Sequence, residues 1–533
     1  MKKPIKVENI QKRKKNAAYK KLIESDEKIQ NEYELTEDIN ENETILKNIF
    51  KDCSDIVFRT IDIFNDKKGL IIYVNGITDI KFLDTLIFKL LMADDCSEEP
   101  ELQKDIVEVI EKRIIAVGQI KKVATVNDTV KNILSGSTVI LVDGAANILS
   151  VTIAGGERRS VTEPVTEVAI RGPREGFTED INTNISLLRR RLRTPKLKMN
   201  SLTIGEVTQT NVTFTYIEGI ARKEVIEEVK TRLGRIKIDG VLESGYIEEF
   251  IEDEPYTPFP LIQNTERPDV VAANLLEGRV AIFTDNTPFV LIVPIVFWGE
   301  IHSNEDYYER FSMSTFLRAI RLGSMFVALI APSIYVAVTT FHQQMIPSKL
   351  LMSIIDNRES TPFPAVIEAI MMEITFEALR EAGIRLPKPV GQAVSIVGAL
   401  VIGQAAVQAG LISAPMVIVV SITGIASFTL PHYDFSFAIR VLRFPLIFLA
   451  GSLGLYGVTL GIMGILIHLV NLRSFGVPYL SPVAPLNLRE LKDVFIRAPK
   501  WKMNQRPNLT AENNKTRIPD GQKPDPGQKK GNT

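Results

Sequence analysis

Of 533 residues, only four are histidine, two are cysteine and two are tryptophan. Four histidines leave little for catalysis, and no Ser/His/Asp or Cys/His constellation emerges, so enzyme chemistry, a cofactor and a metal centre are not expected. Cys53 and Cys96 could form one disulfide but no framework, and a reducing compartment is the simpler expectation. Lys2 and Lys3 are followed by no apolar run of the signal-peptide kind, so the N-terminal half is expected to stay in the cytosol. The larger lack is of charge. Residues 391–437 hold one carboxylate, Asp434, and no Lys or Arg, while residues 444–470 hold no Lys, Arg, Asp or Glu at all. A bilayer span needs about 20 apolar residues, and a soluble fold hides one such helix more readily than several. The C-terminal half is therefore expected to be an integral membrane domain.

The net charge of −1 conceals segregation. Residues 1–21 carry nine Lys or Arg against Glu8, and residues 22–47 reverse the sign. Such blocks suit a solvated, mobile tail, with a contact to anionic headgroups as the second reading. Beyond them the chain repeats itself. Tyr73-Val-Asn-Gly76-Ile77-Thr and Tyr216-Ile-Glu-Gly219-Ile220-Ala each follow an apolar run and precede a helical pattern, 143 residues apart. Residues 133–153 match 275–295, pairing Gly136 with Gly278 and Asp143 with Asp285 at an offset of 142. Each unit reads as strand, glycine turn, amphipathic helix, connector and hairpin, the hairpins turning at Asp143-Gly144 and Asp285-Asn286. One glycine per turn lacks the spacing of a phosphate-cradling loop. Phe289–Val293 is expected to be a buried strand, with a short re-entrant helix as the alternative.

Between the repeats lies RGPREGFTEDINTNISLLRRRLRTPKLK (171–198), a turn followed by a helix with acids early and arginines late. Arg189, Arg190, Arg191 and Arg193 come without an aromatic stacking platform, so nucleic acid is not the expected partner. Arg171, Arg174, Arg189, Arg190 and Arg191 are candidate subunit contacts, with Glu248, Glu249, Glu252 and Glu254 as plausible acidic counterparts.

In the apolar half four spans are expected: 322–341, 390–409, 412–430, and 444–470, the last either one tilted helix or two broken near Gly457. Arg318 and Arg321 before the first, and Arg489, Lys492, Arg497, Lys500 and Lys502 after the last, place both ends in the cytosol. Small residues line two spans, which suits helix–helix packing or a pore wall. Gln392, Gln404 and Gln408 should face protein or water. Between the first two spans, residues 363–387 read as a helix with Glu373, Glu377 and Arg380 on one stripe and Glu368 toward the other side. Glu368, Glu373, Glu377 and Gln404 are the candidate ion path; the blander reading lays this helix on the interface with its acids in water.

The chain resembles the A subunit of the GerA-type spore germinant receptors of endospore-forming bacteria. The resemblance rests on 171–198, YIEGIA (216–221), IDGVLESGYIEEFIED (238–253), PSIYVAVTTFHQQMIP (332–347) and residues 380–428, and runs from about 50 to 500. Departures are Gln344, where the family more often has Glu, and Ile355-Asp-Asn357. The resemblance implies residence in the spore inner membrane, assembly with a transporter-like B subunit and a lipoprotein C subunit, and a homo-oligomeric, ion-conducting role in nutrient sensing. A secondary transporter and a non-conducting membrane scaffold are the alternatives. The fold class expected is an α/β tandem-repeat cytosolic region followed by an all-α polytopic membrane domain. Its divisions are a charged mobile tail (1–47), a first α/β subdomain (48–160), a basic helical insert (161–200), a second subdomain (201–298), a transmembrane domain (299–475) and a basic, largely disordered tail (476–533).

Overall fold

The computed structural model describes residues 35–63, 67–91, 120–145, 147–152, 163–164, 166–167, 169–359, 361–385, 403–511 and 514–524. They form two compact units. The first takes the chain to Glu252, then Ile262–Pro294, then the segment from Pro499 onward; the second takes Asp253–Leu261 and Ile295–Ala498.

The first unit holds two five-stranded antiparallel sheets of the same strand order. β1 (Ile56–Ile63), β2 (Lys67–Val74), β3 (Ile120–Val123), β4 (Thr138–Val142) and β5 (Ile148–Val151) lie in the order β1-β2-β4-β5-β3. β6 (Leu197–Ile204), β7 (Thr210–Ile217), β8 (Gln263–Thr265), β9 (Val280–Thr284) and β10 (Val290–Val293) lie in the order β6-β7-β9-β10-β8. The central strands β4 and β9 are apolar runs rather than alternating ones because both faces are covered. In the first sheet, α1 (Ile39–Ile49) and α3 (Val126–Leu134) pack on Val139 and Leu141, while α2 (Ile80–Leu91) packs on Ile140 and Val142. In the second, α4 (Ile181–Arg191) and α7 (Pro268–Leu275) share a core with Ala281, Phe283, Val290 and Ile292. β10 is the strand expected over 289–293, buried throughout.

The hairpin aspartates have a second task. Asp143 Oδ1 accepts from the Ile39 amide at 3.5 Å, and Asp285 Oδ1 from the Ile181 amide at 3.3 Å, so each hairpin turn caps a helix. Each helix start is closed by an asparagine, Asn42 bonding Thr36 and Asn184 bonding Thr178 in the same two-way pattern. α4, expected within an insert, therefore occupies in the second sheet the place of α1 in the first. Its other side joins the sheets. Gly76, at φ +79°, brings its backbone against α4, where a Cβ would come within 2.9 Å of the Asn182 carbonyl oxygen. The segment after Pro507 was expected to be disordered on its Pro/Gly/Lys composition. Over its described residues it is packed on the second sheet's helices instead: Arg506 Nε donates to the Leu276 carbonyl at 2.8 Å, Thr510 Oγ1 to that of Glu277 at 2.6 Å, and Arg517 pairs with Glu277 at 2.8 Å. Those carbonyls at and beyond the end of α7 need donors, and the tail supplies them.

The second unit is helical: α8 (Phe297–Ile301), α9 (Phe311–Phe341), α10 (Ser348–Glu359), α11 (Ala365–Arg385), α12 (Gly403–Gln408), α13 (Ala414–Phe428) and α14 (Tyr433–Asn471), closed by the short β11 (Arg473–Ser474) and β12 (Val477–Pro478). Among the described residues two helices, α9 and α14, are long and apolar enough to cross a membrane. The expected span 322–341 lies inside α9, and 412–430 corresponds to the shorter α13; most of 390–409 falls outside the described residues. α14 is not one rod. Gly454 has φ 62° and ψ −145°, and the two halves double back on each other. A Cβ at Gly461 would collide with Leu446, 15 residues earlier and about 22 Å away in an unbroken helix. The Phe259 ring lies 6.4 Å from Phe435 and 6.2 Å from His468, so both ends of α14 meet at one aromatic ring. The break expected near Gly457 is thus at Gly454, while Gly457 serves the packing, its missing Cβ leaving room for the Leu449 carbonyl.

α9 is entered through a buried charge cluster. Asp306 pairs with Arg318 at 3.1 Å and Arg321 at 2.7 Å, and Arg318 reaches Asp493 at 3.0 Å. Beside it, His302 lies 3.0 Å from the Val494 carbonyl, and burial, helped by the Arg318 cation, pushes its imidazole from 6.5 down to about 3. The folded chain keeps this ring neutral where the unfolded chain protonates it, so its contribution is constant above pH 6.5 and declines as pH falls from 6.5 toward 3. Thermal unfolding of the detergent-solubilised chain should show that decline beginning above about pH 5, before the carboxylates titrate. His302→Gln should flatten that part of the profile; an unchanged slope would show that His302 does not set it.

Candidate functional site: a buried arginine and carboxylate network

α11 starts behind Pro364 and buries Ala365 and Ala369 against α9, α13 and α14. Glycine makes this approach possible: a Cβ at Gly451 of α14 would collide with Val366, and one at Gly424 of α13 with Phe376. Small residues here serve helix–helix contact.

Two carboxylates of α11 meet two arginines of α14. Glu373 and Arg443, each 1% exposed, form a short ion pair, and Arg443 Nε also donates to the Ala328 carbonyl at 2.7 Å. One turn along, Glu377 Oε1 lies 3.2 Å from both Arg440 Nε and Arg380 Nη1. Residue numbers rise on α11 as they fall on α14, so α11 runs antiparallel to the first half of α14. Arg440 Nη1 donates to Ser436 Oγ at 3.1 Å and Arg380 Nη2 to Ser427 Oγ at 3.0 Å. The guanidinium of Arg380 lies over Phe376 and Phe428, 5.1 and 4.9 Å from the ring centroids, and Arg440 over Tyr433 and Phe437 at 5.5 and 5.4 Å. Three guanidiniums thus share two carboxylates.

Glu368 is elsewhere. Fully buried, its Oε2 accepts from the Ser413 amide at 2.9 Å and the Ser413 hydroxyl at 2.7 Å, a carboxylate at the start of α13 where the helix dipole favours it. Its other oxygen lies 3.8 Å from Arg358 of α10. The expected stripe is therefore neither an open acidic lining nor a row of acids in water: Glu373 and Glu368 are buried, and Glu377 is held by two arginines. Gln404 is exposed on α12, away from these pairs in the hydrogen-bond pattern, and Gln392 falls outside the described residues.

The arginines of the first unit divide. Arg189 is fully buried, with Nε and Nη2 on the two oxygens of Asp55 at 2.7 and 2.8 Å and further bonds to the Thr194 and Leu197 carbonyls. It ties the two sheets together and is not available to another subunit. Arg191 holds Glu175 at 2.7 Å. Arg171, Arg174 and Arg190 are exposed.

Sequence reading missed Arg440 and Arg443, because they sit in the short gap between the two uncharged stretches. The signal was their spacing of three within a long apolar helix, matching the spacing of four between Glu373 and Glu377.

Residues 44–509 match the Bacillus/Clostridium GerA spore germination protein family. The chain is 46% identical to spore germination protein KA of Bacillus subtilis, over 90% of this chain and 88% of that one. It is 43% identical to spore germination protein A1 of the same organism, over 78% and 88%, and 49% identical to the "uncharacterized membrane protein YfkQ", over 90% and 93%. The crystal structure of the N-terminal domain of the A subunit of the Bacillus megaterium spore germinant receptor GerK3 covers half of the chain and 98% of that domain, at 39% identity and a TM-score of 0.40. The chain belongs to the GerA spore germination family, and its relatives include the spore germination proteins KA and A1.

A buried ion pair broken on one side leaves an uncompensated charge, at a cost on the order of 3–5 kcal/mol. Glu373→Leu and Arg443→Leu should each lower the amount of full-length chain in membranes severely. The double variant, which removes both charges, should recover much of that loss. Equal loss in all three, read by quantitative immunoblot, would mean that the pairing is not what matters.

Proposed function

We propose that this chain is the A-type subunit of a nutrient germinant receptor in the spore inner membrane, a polytopic protein with both termini in the cytosol and a tandem-repeat cytosolic region. It acts with a transporter-like B subunit and a lipoprotein C subunit, and as an oligomer supplies the path for ions released when germination begins. The family supports the receptor assignment. The observation that carries the ion-path reading is the Glu373, Glu377, Arg380, Arg440, Arg443 network between α11 and α14. Ionisable groups inside an apolar helical bundle are expensive and mark function more often than stability. Paired, they hold α11 closed on α14. Release of Glu377 from Arg380 and Arg440 would give the bundle a second arrangement, which a nutrient bound to a partner subunit can bias through different affinity for each.

Spores lacking this chain should lose monovalent-cation release toward a subset of amino acids, sugars or nucleosides. At normal protein level, Glu377→Gln should shift the rate of that release several-fold, because the amide holds neither arginine as firmly. Release kinetics identical to the unaltered chain would remove the network from the ion path.

A further inference from the structure

α6 (Ser244–Ile251) turns Ile247 and Ile251 inward and leaves its other face open. Tyr246 and Phe250, spaced four residues apart, are 42% and 45% exposed and form one apolar stripe, and Leu242, two residues before the helix, is 64% exposed. Val207 adds to it at 81% exposure, held alongside by its amide bond to the Asp239 carbonyl at 2.7 Å. The rim is acidic: residues 238–252 contain Asp239, Glu243, Glu248, Glu249 and Glu252 and no Lys or Arg, with Arg235 and Lys237 at the edge. Such a surface repels an anionic bilayer and a nucleic acid. It fits a partner with an apolar projection ringed by cations.

This chain carries that counterpart. Ile170 is 92% exposed, Arg174 lies four residues on in a loose, exposed pair with Glu163 at 3.8 Å, and the bond from Arg191 to Glu175 sets this loop beside the end of α4, where Arg190 and Arg193 are exposed. The two surfaces are on opposite sides of the second sheet. α4 packs on the face of Ala281, Phe283, Val290 and Ile292, whereas the inward residues of α6 belong to no part of that core and α6 contacts β10 from the other side.

We propose that a second copy of this chain seats Ile170, Arg174 and Arg190 on Leu242 and the Tyr246, Phe250 stripe. Because one surface meets a different one, the contact is head-to-tail and propagates to further copies rather than stopping at a pair. The inference rests on the oligomeric reading of the proposed function and assigns its cytosolic contact.

The test uses the full chain in membranes, with Cys53 and Cys96 replaced by Ala and cysteines introduced by Ile170→Cys and Tyr246→Cys. A short bis-maleimide should give a ladder of dimers and larger species from the double variant, and neither single variant should cross-link. Adding Glu249→Arg should cut the yield about tenfold, the equivalent of one decade in affinity, and Arg190→Glu added to that should restore it. Monomer alone from the double variant would overturn the proposal, as would dimers from Tyr246→Cys by itself, which require a symmetric contact. Because cation release by spores carrying Glu377→Gln is read separately, loss of this interface and loss of the ion-path reading are told apart.

Discussion

A buried charge must find its counter-charge, and the Glu373–Arg443 pair is where that constraint governs the helical unit. Neither group could be buried without the other. To satisfy both, α11 must lie along α14 at one register and one direction. That register brings Val366 against Gly451, and on the neighbouring α13 Phe376 meets Gly424, closures that any larger residue would prevent. It also sets Glu377 opposite Arg440. Packing, small residues and charge pairing therefore solve a single geometric problem, with the ion pair fixing the register and the glycines permitting the distance.

The same physics organises the first unit at a different place. Arg189 spends its guanidinium on the buried Asp55 and on two backbone carbonyls. One partner precedes β1 and the others precede or open β6, so the contact joins the two sheets. Its bidentate fork is what lysine could not reproduce. An arginine run that looks like a solvated or interface patch is thus divided by helical periodicity: position 189 faces inward, position 190 outward, and position 191 reaches back to Glu175.

Much of this was legible from sequence. The offset of 142 to 143 residues identified equivalent hairpins and turns, and Gly76, Gly219 and Gly144 have the positive φ that their turns require. What the offset did not reveal was how far the likeness of the two sheets extends. α1 and α4 share little beyond an aspartate cap and an asparagine six residues after its threonine partner, contacts made by polar residues that hydrophobic periodicity does not weigh. The long apolar helices were visible as uncharged runs, but only tertiary packing shows that α14 doubles back at Gly454. The acids of α11 were found and their environment misjudged, since the arginines that bury them stand about 70 residues later. Composition favoured disorder in the C-terminal segment because donor-rich residues such as Arg506 look solvated until the unsatisfied carbonyls at and beyond the end of α7 are considered.

Chain connectivity adds the last step. The polypeptide passes between the two units four times, at 252/253, 261/262, 294/295 and 498/499. The first passage follows directly from α6. Within nine residues the loop after that helix delivers Phe259 into an aromatic cluster with Phe297, Phe435 and Tyr479, and Leu261 accepts from Ser474 Oγ at 2.7 Å. Phe259 also lies against His468. The segment that follows α6 thus leads directly in sequence to the ring on which both ends of α14 converge. α14 bears Arg440 and Arg443 on its first half.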